Sequence, residues 1–284
     1  MVRSMLFVPG DAPRKFDKAA ASPADALILD LEDSVAPDGK AAAREAVRAM
    51  LGQAPAGKQV WVRINALDSG EALADLAAVV PGRPFGIVLP KCARRADLEQ
   101  AAHYLDACEA MADLPAGGIR ILAIVTETAR SLFGLHDYAG ATSRLWGLSW
   151  GAEDLAADLG ARRNREAGRY TEPFRLARSL CLAAAAAAGV RAVDTVCVDL
   201  DAPDILADET REAARDGFVA KLAIHPRHVE PINRLLTPDE AQLQWARAVV
   251  QAFAAHPGAG ALNLDGKMID RPHWRLARRL LGEE

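Results

Sequence analysis

Glu127 and Asp154 are the residues whose placement most directly suggests chemistry. The apolar run ILAIVT (121–126) leads into Glu127, and RLWGLSW (144–150) is followed by GAED, which ends on Asp154. Each run has the length and apolar continuity of a parallel strand covered on both faces, and each precedes a segment with helical spacing. Consecutive strands usually lie side by side, which places both carboxylates at adjoining strand ends. There they suit Mg2+, which needs only one or two protein carboxylates and completes its octahedron with water and substrate oxygens. A plainer role competes, because acidic residues also favour the first turn of a helix.

The elements that would position these carboxylates recur along the chain. Strands are expected at 5–9, 26–31, 60–64, 86–90, 121–126, 144–150, 195–200 and 221–226. Helices are expected between them, at 11–21, 38–51, 70–79, 94–112, 128–138, 151–158 with 172–188, 203–216 and 227–236. Eight alternating units without an internal linker predict an α/β fold, a closed (β/α)8 TIM barrel over residues 1–237. Residues 238–284 then form a C-terminal helical extension, a lid over the mouth or an arm that docks on another subunit. It reads as an amphipathic helix from TPDE, a Gly-rich turn with a short hairpin, and a last helix carrying Arg275, Arg278 and Arg279.

Catalytic residues of such a barrel gather where the strands end. Here the ends carry Asp11, Asp30, Glu32, Asp33, Arg63, Asn65, Lys91, Glu127, Glu153, Asp154, Asp199, Asp201 and His225. Many carboxylates with one arginine and one lysine suggest a hard cation and an anionic substrate. Arg63, at the end of VWVRI, needs an anionic partner. A substrate carboxylate would match its fork, and so would the cluster Asp30, Glu32 and Asp33 on the neighbouring strand. That cluster is also a rival metal site or a supporting shell for one. Lys91 is either a Schiff-base lysine or a cation balancing carboxylates, and His225 a base or a structural residue. In the loop 160–171, Arg162, Arg163 and Arg165 meet substrate phosphates or simply face water.

Composition narrows the rest. With 51% hydrophobic and 25% charged residues the chain has ample core for a globular protein, and its net charge of −4 gives no reason to bind nucleic acid or an anionic membrane. Cys92, Cys108, Cys181 and Cys197 are widely spaced and read as reduced core thiols. The apolar run near the start is too short for a signal peptide, and no run approaches a membrane span, so a cytoplasmic location is expected. There is no GxSxG, HExxH or GxxxxGK[ST], which removes the main support for serine hydrolase, zincin and P-loop readings.

Taken together, RSMLFVPGDAPRKFDKA, DALILDLEDSVAPDGKAAAR, VWVRIN, GIVLPK, IVTETARS, LSWGAEDLAADLG, KLAIHPRHVEPIN and DGKMIDRPH closely resemble the beta subunit of citrate lyase, in order and over nearly the whole chain. Its family also holds stand-alone malyl-, citramalyl- and citryl-CoA lyases. The resemblance implies a Mg2+-dependent barrel enzyme, a homotrimer or hexamer. It would cleave or form a carbon–carbon bond beside a thioester on CoA or acyl-carrier protein, with a 2-oxo acid as the other product. It implies Glu127 and Asp154 as metal ligands, with Glu127 also beside the substrate, and Arg63 as the grip on the 2-oxo acid. Asp270 becomes the acid/base, often delivered from a neighbouring subunit. Asp30, Glu32, Asp33 and Lys91 are left as supporting residues. Other citrate lyase subunits are possible partners. A malyl-CoA thioesterase or malate synthase on the same site, a CoA-independent pyruvate aldolase using Lys91, and a non-enzymatic scaffold subunit are the alternatives.

Overall fold

Strand β1 (Ser4–Pro9, SMLFVP) sets the pattern of the whole chain. Its side chains alternate: Met5 points to the barrel interior, while Leu6 and Val8 join the outer apolar layer under the helices. Helix α1 (Pro13–Ala20) follows, then β2 (Ala26–Asp30), α2 (Lys40–Leu51), β3 (Gln59–Arg63), α3 (Ala72–Val79), β4 (Gly86–Leu89), α4 (Arg95–Met111) and β5 (Arg120–Ile124). Next come β6 (Leu145–Ser149), α5 (Glu153–Leu159), a small hairpin of β7 (Arg165–Glu166) and β8 (Arg169–Tyr170), and α6 (Glu172–Ala188). Strand β9 (Arg191–Asp194), α7 (Pro203–Asp216), β10 (Ala220–Ala223) and α8 (Val229–Leu236) complete the series. The computed structural model describes residues 2–283, in two units that divide between Leu236 and Thr237.

In the first unit, eight parallel strands close in the order β1-β10-β9-β6-β5-β4-β3-β2, the (β/α)8 barrel expected from the sequence. The interior is filled, not hollow: Trp61 and Trp146 meet edge to face with ring centroids 5.0 Å apart, among Ile28, Val88, Leu122 and Leu222. Gly86 makes room for this, since a Cβ there would lie 2.3 Å from the Trp61 ring. Outside the barrel wall, helices lay down stripes at helical spacing; α6 buries Phe174, Ala177, Cys181, Ala184 and Ala185. Burying a side chain such as Phe174 is worth about 1.5–3 kcal/mol. Pro173 occupies the first turn of α6 and Gly189 caps its end with φ 67°. The four cysteines are free, three of them buried.

Two buried polar clusters brace the wall. At the base, Glu109 on α4 accepts the backbone N–H groups of Gly117 (2.8 Å) and Ile119 (2.9 Å) and pairs with Arg144 at 2.5 Å. Between wall and helices, fully buried Lys221 donates to Asp194 Oδ2 at 2.7 Å, and Asp194 Oδ1 accepts from Trp150 Nε1 at 2.7 Å. The second cluster ties β9 and β10 to the residue just before the GAED segment.

Two expected elements differ. The seventh strand is Arg191–Asp194, not 195–200. Its neighbours β6 and β10 pair with residues 191–194, so the later part of the apolar stretch overshoots the sheet and turns into the mouth. Propensity along AVDTVCVDL cannot choose which segment pairs; strand alignment does. The expected helix at 128–138 is instead two 3₁₀ turns, Arg130–Phe133 and Leu135–Asp137. Between them Gly134 is pressed against Ala93, where a Cβ would lie 2.1 Å from the carbonyl oxygen, and Tyr138 donates to the Cys92 carbonyl at 2.9 Å. Those tertiary contacts replace a continuous helix.

The second unit has its own small core of Ala246, Val249, Phe253, Ile269 and Ala277. Helix α9 (Glu240–Ala255) begins at Asp239, whose carboxylate accepts from Gln242 N–H at 2.8 Å. Strands β11 (Ala261–Leu264) and β12 (Lys267–Asp270) form an antiparallel hairpin, turned by Asp265 and Gly266 at positive φ. Helix α10 (Arg271–Leu281) is capped by Asp270.

Candidate active site

Strand register puts Asp30 directly beside Arg63 at the carboxyl ends of β2 and β3. Arg63 Nε reaches Asp30 Oδ1 at 2.6 Å and its Nη2 reaches Oδ2 at 2.7 Å. Nη1 lies 3.1 Å from Glu32 Oε2 and 3.4 Å from Asp33 Oδ2. Of the two partners expected for Arg63, the Asp30–Asp33 cluster is the one in place. The guanidinium still lines the mouth, with its centre 4.9 Å from the Phe7 ring centroid. Burial disfavours a charged Asp30, yet Arg63 holds its carboxyl below the usual aspartate range.

Lys91 joins this group to the metal-ligand candidates. Its Nζ lies 2.8 Å from Glu32 Oε1 and 3.7 Å from Asp154 Oδ1. Burial opposes its charge, but the hydrogen bond and charge of Glu32 outweigh that and hold the amine above the ordinary lysine value. Its backbone φ is 51°, a conformation uncommon outside glycine, and its N–H donates to Glu127 Oε2 at 2.5 Å. Lys91 thus acts as a counter-cation and fixes Glu127; a Schiff-base lysine would need the neutral amine.

Glu127 is 4% exposed, follows β5, and is pushed up to about 8 by burial and by the nearby charges of Glu32 and Asp154. Gly151 permits the approach of the β6 end, since a Cβ there would lie 2.7 Å from Glu127 Cγ. Asp154 stands in the first turn of α5 with its side chain 34% exposed. Both acids line a cavity of about 410 Å³ together with Asp30 and Arg63, within the size range of small-molecule sites. The other wall of this cavity is apolar: Phe7, Val196, Val198, Leu222 and Ile224, with Thr195 among them.

This donor set fits Mg2+. The oxygens are hard, and Glu127 sits among like charges whose repulsion a dication would relieve. The cavity offers the carboxylates of Glu127 and Asp154, and Mg2+ needs only one or two from a protein, with water and substrate oxygens completing its shell.

Of the other sequence candidates in the barrel, Glu153 lines the same cavity, and the rest stand apart from it. Asn65 is buried and bonded to Asp75 and the Leu31 carbonyl, a structural role. Glu153 accepts from Asn164 at 2.8 Å. His225 Nδ1 accepts from the Arg227 N–H groups, and Asp201 pairs with Arg227. Of the loop arginines, Arg165 turns inward to Glu209 and Tyr170, while Arg162 and Arg163 are exposed. Asp270 belongs to the second unit, where its carboxylate caps α10 and pairs with His273 Nδ1 at 2.6 Å; that hydrogen bond lowers its pKa. The part of the apolar wall at Thr195, Val196 and Val198 is hidden in the sequence, because 195–200 has the pattern of a barrel strand while the strand itself is Arg191–Asp194. Its one signal was the run of β-branched residues continuing beyond Asp194.

Fold and mouth together define a TIM barrel with an acidic, arginine-bearing site suited to a hard cation. Residues 3–226 match the model of the HpcH/HpaI aldolase/citrate lyase family, and the chain belongs to that family. It is 36% identical to citrate lyase subunit beta of Escherichia coli over 98% of this chain and 92% of the relative. It is 35% identical to (3S)-malyl-CoA thioesterase of Cereibacter sphaeroides over 99% of this chain and 94% of the relative. Among solved structures, it resembles CitE of Mycobacterium tuberculosis in complex with magnesium, acetoacetate and coenzyme A, at a TM-score of 0.81 and 35% identity, covering 99% and 97% of the two chains. The resemblance to citrate lyase beta subunits read from the motifs is thereby borne out. No helix among the described residues is long and apolar enough to cross a membrane.

Proposed function

We propose that the protein is a Mg2+-dependent carbon–carbon lyase, cleaving or forming a 3-hydroxyacyl thioester such as citramalyl-, malyl- or citryl-CoA. The convergence of Glu127, Asp154 and Arg63 on one cavity, in a chain of this family, carries the reading. Glu127 and Asp154 would hold the cation. Bound Mg2+ would supply a Lewis acid that polarises the substrate's hydroxyl and carboxylate oxygens.

The chain's own groups do the rest. Arg63, fixed by Asp30, lines the cavity where the 2-oxo acid would sit, and its positive charge favours the oxygen on which electrons gather. In the cleavage direction the hydroxyl passes its proton to solvent water, the oxygen's electron pair forms the new carbonyl, and the carbon–carbon pair leaves with the thioester as its enolate. Asp270 gives the departing enolate its proton; in the reverse direction Asp270 removes it. In this reading residues 238–284 act as a lid over the mouth of the same or a neighbouring subunit, in a homotrimer or hexamer. Closure would desolvate Asp270 and raise its pKa toward a working range.

The test is an assay of the purified protein with Mg2+ and each of the three CoA thioesters, following pyruvate, glyoxylate and oxaloacetate. Release of a 2-oxo acid with the free acyl thioester supports the lyase. Free CoA with an intact hydroxy acid would instead support a thioesterase, the reading favoured by the similarity to malyl-CoA thioesterase. Loss of neither bond from any CoA substrate, nor from its acyl-carrier-protein counterpart, would sink both.

A further inference from the structure

The two walls of the mouth differ in kind, and the difference bears on which 2-oxo acid is used. On the β2–β6 side the cavity is lined by Asp30, Asp33, Arg63, Glu127, Glu153 and Asp154, with Ile124 and Trp150 as apolar members between them. Lys91 stands behind that wall, paired with Glu32 and Asp154. Both cations already face anions: Arg63 has Asp30, Glu32 and Asp33 within 3.4 Å. On the β9, β10 and β1 side the lining is Phe7, Val196, Val198, Leu222 and Ile224, with the uncharged Thr195. Val198 is 37% exposed and Ile224 41% exposed, so this wall presents open apolar surface to the cavity. Arg227, at the end of the same barrel segment, does not line the cavity and is committed to Asp201 and the Leu200 carbonyl.

A substrate carboxylate can share Arg63 and the cation site on the polar wall. A second carboxylate on the same 2-oxo acid would then meet Val198 and Ile224, with no free cation among the described lining residues to receive it. A carboxylate gains nothing from that surface and keeps only water as its partner, whereas an alkyl group is stabilised by covering it. Resting on the lyase reading above, we propose that this site selects a 2-oxo monocarboxylic acid with a small alkyl substituent, of the pyruvate or 2-oxobutyrate type, over a 2-oxo dicarboxylic acid such as oxaloacetate. The corresponding thioester carries that alkyl group, not a carboxymethyl group, on its hydroxyl-bearing carbon. Ile224 and Val198 are then specificity-determining residues.

Isothermal titration calorimetry of the full chain with saturating Mg2+ tests this without turnover. The ligands are glyoxylate, pyruvate, 2-oxobutyrate and freshly prepared oxaloacetate, each repeated with Ile224→Arg. Pyruvate is expected to bind about tenfold or more tightly than oxaloacetate. It should exceed glyoxylate by about fourfold, the worth of one buried methyl group. Ile224→Arg should shift the pyruvate-to-oxaloacetate ratio toward oxaloacetate by about tenfold, and far-ultraviolet circular dichroism would verify its fold. Oxaloacetate binding as tightly as pyruvate, with both requiring Mg2+, overturns the inference and leaves the lyase reading standing. An unchanged ratio in folded Ile224→Arg overturns the inference too. Binding of no 2-oxo acid overturns both.

Discussion

Arg63 and Asp30 meet fork to fork across β2 and β3, at 2.6 and 2.7 Å, with side chains 12% and 3% exposed. An arginine at the mouth that would grip substrate is thus itself gripped, and its remaining N–H directions are fixed before substrate arrives. Asp30→Asn should keep the shape but loosen the guanidinium. Breaking such a buried pair costs about 3–5 kcal/mol, so a clear fall in melting temperature is expected along with a rise in KM for the thioester. Arg63→Lys keeps the charge and loses the fork, and kcat/KM is expected to fall about 10²–10³-fold. Wild-type kinetics in Arg63→Lys would remove the Arg63 fork from the mechanism, and wild-type kinetics in Asp30→Asn would remove the positioning role of Asp30.

Metal dependence follows from the two acids. Treatment with EDTA should abolish activity and added Mg2+ should restore it. Glu127→Gln and Asp154→Asn should each weaken Mg2+ binding by about a hundredfold, measured calorimetrically, with little change in circular dichroism. Unaltered Mg2+ affinity in both variants would place the cation elsewhere.

Lys91 is held as an ammonium by Glu32 at 2.8 Å. Borohydride added with pyruvate should therefore leave no adduct on the intact protein by mass spectrometry. A mass increase mapped to Lys91 would revive the aldolase alternative.

The base of the barrel predicts an acid limit. Burial alone would raise the pKa of Glu109, but Arg144 and the N–H groups of Ile119 and Gly117 more than offset it and hold the carboxyl below the ordinary glutamate value. A lowered folded pKa means the stabilisation is complete above the unfolded value of about 4.3 and lost as pH falls through the folded value. Thermal melting between pH 7 and pH 3 should show that loss. Glu109→Gln should melt lower at neutral pH and show a shallower decline on acidification. A parallel decline in both proteins would assign the acid sensitivity to other carboxyls.

Much of this protein is determined by its sequence alone, and for a definite reason. Barrel strands need continuous apolar runs and their helices need apolar stripes, so the eight units appear as periodicity before any contact is known. The polar residues after those runs, among them Asp30, Arg63, Lys91, Glu127 and Asp154, are fixed at one mouth by topology, and the motifs around them carry the family. Tertiary structure decided what local pattern leaves open. Alignment with β6 and β10 placed the seventh strand at Arg191–Asp194 and turned Thr195, Val196 and Val198 into the cavity. Contacts of Gly134 and Tyr138 with the Ala93 and Cys92 carbonyls broke the helix expected at 128–138. Pairing across β2 and β3 gave Arg63 to Asp30 before any substrate could claim it. Sequence reports which groups reach the mouth; their partners are set by distances between strands remote in the chain, which no local spacing encodes.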